Sequence, residues 1–202
     1  MKFKIVSVLF SFFMNFCFAQ ADSLKLKNED LAFELCQIYG FDQGIRDFSL
    51  EFDKRQIMPK IDTINFNKIV AFVEKNGFPT RNLLGDKFSI ECVSMAAPAV
   101  LLHNPHRLVN EKKYFDLFLD EVKKGNMPIE FFATVLDKYY WGQSINKKER
   151  RVFYGSPFGK PCIQTKEETN KARIEIGLEP LKDEEFVDCS NEELFVMPKK
   201  RI

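Results

Sequence analysis

The chain has 202 residues, 45% of them apolar and 22 of them phenylalanine, which is material for one domain with a substantial core. Lys plus Arg number 30 against 29 for Asp plus Glu. That balance gives no single-signed field to steer nucleic acid, so no nucleic-acid partner is expected.

At the N-terminus, Lys2 and Lys4 introduce an apolar run from Ile5 to Phe18, and the small residues of Ala19-Gln20-Ala21 follow. Charge, apolar run and small-residue site in this order predict a signal peptide over residues 1–21, cut after Ala19 or Ala21. The run is shorter than the roughly 18 to 20 residues of a spanning helix, so the mature chain is expected to have no transmembrane helix. Phe16 stands where a lipid-anchored protein would have a small residue before Cys17. The expectation is an exported protein, periplasmic or secreted, with one helical domain over 22–182 and a charged C-terminal tail over 183–202.

Four cysteines remain after the signal, which permits three fully paired connectivities. Cys162 and Cys189 stand in loop-like sequence and form the pair expected to bridge in an oxidising compartment. Cys36 and Cys92 lie on apolar helical patterns and read as buried thiols.

Leu31, Leu35 and Ile38 recur at helical spacing over 28–39, with Gly40 as a stop. A second helix is expected to open at Asp42 as its cap, bury Ile45, Phe48 and Phe52, and end at Pro59. Asp62 then caps a helix to Lys75 with the inward stripe Phe66, Ile69, Val70 and Val73, and Gly77 lies past its end. Residues 86–103 read as an apolar helix, with Ile90, Val93, Ala97, Val100 and Leu101 inward and Pro98 kinking or splitting it.

Residues 108–124 follow with Phe115, Phe118, Leu119 and Val122 inward. After Pro128, the residues Ile129, Phe132, Ala133, Leu136 and Tyr140 continue as another helix. Periodicity fails between 143 and 164, which reads as an ordered loop or lid. Thr165 and Glu168 form a capping box for a last helix ending at Gly177. No alternating strand pattern competes, so the fold expected is all-α, an irregular array of about six or seven helices. The basic runs Lys147-Lys148-Glu149-Arg150-Arg151 and Lys199-Lys200-Arg201 read as solvated faces.

A set of short polar segments runs through these helices: Asp42-Gln43-Gly44-Ile45-Arg46, Gly77-Phe78-Pro79-Thr80, His103-Asn104, Leu136-Asp137-Lys138 and Tyr154-Gly155-Ser156. In order and spacing they resemble an uncharacterised bacterial family, a domain of unknown function. Its members carry Asp-Gln-x-x-Arg, Gly-Trp-Pro, Gln-His-Ala-Asp, Leu-Thr-Asp-Arg and Tyr-Gly-Thr-Gln in succession. The closing Gly177-Leu178-Glu179-Pro180-Leu181 is similar as well, so the resemblance covers about Leu31 to Leu181. It implies no activity, since none is assigned to the family. The chain departs from the pattern at Leu102, Pro105, Lys138 and Pro157, each in place of a polar or more strongly hydrogen-bonding residue.

The candidate polar pocket consists of Asp42, Gln43, Arg46, His103, Asp137 and Tyr154. A His103–Asp137 pair would serve as an oriented general base or as a polar tie between helices. His103 and His106 are the only histidines. Pro105 between them breaks the regular helix that a metal site on one face would need, so no metal and no cofactor are expected. The function expected is a non-catalytic binding or structural protein of the cell envelope, with another envelope protein or a small molecule as its partner. The alternative is a hydrolase-like enzyme centred on His103 and Asp137. Export makes a direct prediction: N-terminal sequencing of the exported form should start at Gln20 or Asp22, and retention of Met1 would refute the signal peptide.

Overall fold

The computed structural model describes residues 26–190 apart from Phe48, Leu50, Phe52 and Asn146. The signal-peptide region, the inward roles assigned to Phe48 and Phe52, and the Lys199–Arg201 run therefore lie outside the described residues. Those residues form an all-α array of eight helices joined by short 3-10 turns, with isolated bridges in place of strands. The helices are α1 (26–44), α2 (Lys54–Asn76), α3 (Arg81–Leu84) and α4 (Glu91–His103), then α5 (Pro105–Asn110), α6 (Lys112–Lys123), α7 (Ile129–Gln143) and α8 (Lys166–Ile176).

The apolar stripes build the core. Leu35 and Ile38 of α1, Phe66 and Ile69 of α2, Val93 and Val100 of α4, and Phe132 and Leu136 of α7 are all buried in one cluster. Each such large side chain contributes about 1.5–3 kcal/mol by leaving water. Helix α2 packs on α4, and α5 and α6 pack on α7.

Several helix boundaries differ from the periodic reading. Helix α1 runs through Gly40, which has open space around it, and Asp42 lies within the last turn of α1 instead of capping a new helix. A glycine in an exposed helix interior costs about 1 kcal/mol, which the buried stripe of α1 offsets. Helix α1 ends at Gly44 in a turn at Ile45 and Arg46, and Asp53 accepts a hydrogen bond from the Arg55 amide as the cap of α2. Pro59 is tolerated near the start of α2, and Asp62 is interior to that helix.

The segment expected as one helix over 86–103 begins in a 3-10 turn over Gly85–Ser89 and becomes α-helical only in α4, which passes through Pro98 unbroken. Ile90, expected inward, is exposed. The single helix expected over 108–124 is divided at Glu111 into α5 and α6. Thr165 does not cap α8, because its hydroxyl donates to the Cys162 carbonyl at 3.0 Å, so the capping box is not made.

The stretch expected as an ordered loop or lid over 143–164 also contributes to the core. Val152, Phe153 and Tyr154 are buried in its middle. Residues 183–190, expected as the start of a charged tail, are tied back to it: the Ile163 amide donates to Val187 at 2.8 Å, and Phe186 and Cys189 are buried.

Among the described residues two disulfides are present. Cys162–Cys189 joins the loop to the C-terminal segment, and Cys36–Cys92 joins α1 to the start of α4, correcting the reading of that second pair as free thiols. The second bridge spans 56 residues, and loop closure of that size is worth about 4 kcal/mol in the chain-entropy description. Non-reducing peptide mapping should recover both linked pairs. The Cys36→Ala, Cys92→Ala double variant should lose about 3–4 kcal/mol in urea unfolding.

Candidate functional site

The six candidate residues fall into two groups. In the first, the end of α1 presents Asp42, whose side chain is fully buried. It accepts from Gln43 Nε2 at 2.8 Å and lies 3.0 Å from His103 Nδ1 at the last residue of α4. Arg46 donates through Nη1 to the Asp42 backbone carbonyl at 2.6 Å and through Nη2 to Asp62 Oδ1 at 2.5 Å. Asp62, on α2, is the member that sequence reasoning missed as part of this group. Its distance from Asp42 in sequence concealed it, although the excess of carboxylate around one arginine is a pattern that calls for a second partner.

The local structure explains the convergence. Arg46 stands on the turn that ends α1, so its guanidinium reaches back to its own helix and across to α2. His103 is carried inward by the buried Val100 and Leu101, and Asn104 holds that helix end by donating to the Val100 carbonyl at 2.9 Å. A neighbouring histidine, His106, has its pKa pushed down mainly by burial and then by Arg107, while Glu111 and Asp62 oppose that shift. Asp42, Asp62 and His103 each offer a ligand atom within 4.8 Å of the others. These three residues could hold a divalent ion, and the Arg46 guanidinium already meets both carboxylates.

In the second group, Asp137 of α7 accepts from the Phe153 and Tyr154 amides through Oδ1, at 2.8 and 2.6 Å. Its Oδ2 is buried without a hydrogen bond. The expected His103–Asp137 pair is therefore not formed: the carboxylate on His103 belongs to Asp42, and Asp137 serves the backbone. Arg173 of α8 closes this group, donating to the Tyr154 carbonyl through Nη1 and to the Glu179 carbonyl through Nε at 2.7 Å. Tyr154 itself is a buried ring, 6.3 Å from Tyr140, and not a pocket hydroxyl.

Gly155 follows at φ 74°, where a side chain would be strained and its Cβ would meet Leu181 at 2.9 Å. A cleft of about 180 Å³ lies beside it, lined by Gly155, Gly159, Lys160, Pro161, Leu181 and Glu185. Four of the motif segments thus meet in two pairs, Asp42 with His103 and Asp137 with Tyr154, whereas the Gly77–Thr80 segment meets Glu121 through the Phe78 amide at 2.8 Å. No protein-family model, no curated protein and no solved structure matches the chain.

Burial raises the Asp137 pKa to about 6, against the two amide hydrogen bonds, the Ser156 hydroxyl and the Arg173 charge, which lower it. The native state therefore holds this proton more tightly than the unfolded chain does. Its contribution is complete below the unfolded value of 3.8 and is lost as pH rises through about 6. Urea midpoints should fall between pH 4 and pH 7 on this account. Asp137→Asn keeps an acceptor for both amides and should flatten that slope; an unchanged slope would show that Asp137 does not govern it.

Proposed function

We propose that this is an exported helical protein that acts by binding or by structural support in the cell envelope, without catalysis. The observation that carries the reading is the engagement of its buried carboxylates. Asp42 ties Gln43 and His103 together and Asp137 holds backbone amides, so both are committed to the fold. Two disulfides are compatible with export to an oxidising compartment. Among the described residues no helix is long and apolar enough to cross a membrane. Membership of the uncharacterised family belongs to the same proposal, and the meeting of four of its motif segments in two pairs supports it. The departures at Leu102, Pro105 and Pro157 remove polar side chains on which a catalytic role would draw, and Lys138 exchanges a guanidinium for an ammonium.

A second reading, a hydrolase-like enzyme, is favoured by one observation. The buried Asp42 carboxylate sits on Nδ1 of a His103 side chain that is 30% exposed, which is how a general base is oriented. His103→Ala separates the two. It leaves Asp42 short of one partner and should lower stability by about 1–3 kcal/mol. The wild-type oxidised protein should show no turnover of chromogenic carboxyl esters, phosphate esters or peptides. Turnover in the wild type that is lost in a His103→Ala protein of unchanged stability would overturn the non-catalytic reading.

A further inference from the structure

The end of α7 and the loop after it gather two cations around the only tryptophan of the chain. The Arg150 guanidinium carbon lies 3.9 Å from the centre of the Trp141 ring. The Lys138 ammonium, three residues earlier on α7, lies 4.5 Å from the same ring and 4.9 Å from Phe158. Phe158 packs on Trp141 with ring centres 5.7 Å apart. Cation–π attraction holds both cations in place. It does not neutralise them.

Among the described residues neither Lys138 nor Arg150 has an ion pair, whereas the adjacent Arg151 meets Glu149 at 2.8 Å. Burial, together with the neighbouring Arg150 charge, holds the Lys138 ammonium below the usual lysine range. Two like charges are thus held against one ring, both half-buried, and neither meets a carboxylate among the described residues. Lys147 covers the Gly142 carbonyl at the helix end, at 3.0 Å, and so removes an acceptor that would repel an incoming anion.

We propose that Lys138 and Arg150, set on the Trp141–Phe158 platform, form a binding site for a phosphate-bearing ligand. Charge selects the class: phosphate monoesters carry about −1.5 to −2 at neutral pH, which matches two unpaired cations better than a single carboxylate does. The guanidinium offers two parallel donors to phosphate oxygens and the ammonium adds a point charge. The phosphate can belong to a lipid headgroup or to a soluble ester. The site does not depend on whether the protein is catalytic.

Trp141 makes the test direct, since all indole emission comes from the site. The full oxidised chain titrated with inorganic pyrophosphate at low salt should show a saturable emission change and a matching calorimetric Kd. Lys138→Gln and Arg150→Gln should each weaken binding about tenfold, the effect of losing one charge-assisted contact. Lys160→Gln, at a cation that instead donates to the Glu184 carbonyl, should leave Kd unchanged.

Sedimentation with phosphatidylglycerol and phosphatidylcholine vesicles distinguishes the sources. Co-sedimentation with the anionic vesicles alone, lost in Arg150→Gln, assigns the headgroup; pyrophosphate binding without vesicle binding assigns a soluble ester. The site is overturned by the absence of any saturable response to pyrophosphate and to anionic vesicles. It is equally overturned by a response that the Lys138→Gln, Arg150→Gln double variant retains.

Discussion

The packing of the N-terminal half depends on the Asp42 carboxylate. A buried, ionisable oxygen pair is unfavourable in an apolar interior unless its lone pairs find donors. Here they find His103 from α4 and Gln43 from α1 itself, while Arg46 carries the charge onward to Asp62 of α2. Three helices meet at one polar point. Apolar stripes alone would permit α1 to rotate or slide against its neighbours, and a hydrogen-bonded carboxylate fixes the register.

The other half solves a different problem. Residues 147–162 form no helix and only isolated bridges, yet Val152, Phe153 and Tyr154 are buried. Buried amides need acceptors, and Asp137 supplies one oxygen to two of them. Arg173 does the converse for carbonyls, donating to Tyr154 and Glu179. A carboxylate and a guanidinium thus replace secondary structure, and the raised pKa of Asp137 is the electrostatic consequence of placing the carboxylate there.

Much of this architecture was legible in the sequence, because helical periodicity reports burial directly. Phe66, Ile69, Val70 and Val73 are buried as their spacing demands. Boundaries were less legible. Gly40 and Asp42 carry the local chemistry of a helix stop and a helix start, but tertiary contacts at Leu35, Ile38 and Asp42 outweigh that preference and draw the helix through. Partner choice was least legible of all. Asp137 and Asp42 are equally suitable acceptors for His103 on paper, and only the fold decides between them. Cys36 and Cys92 present the same difficulty, since a cysteine on an apolar stripe has the same pattern whether it is free or bridged.

The Cys36–Cys92 bridge has a further consequence for resistance to proteolysis. It encloses the connection between α1 and α2, where the described residues Asp47 and Glu51 stand outside any helix. A single cleavage there would separate α1 from the rest of the chain in sequence but not in covalent connection. The nicked molecule would remain one body, with α1 held against α4 at high effective concentration and free to re-dock its buried face. A cut in that connection would thereby leave the contact between α1 and α4 in place.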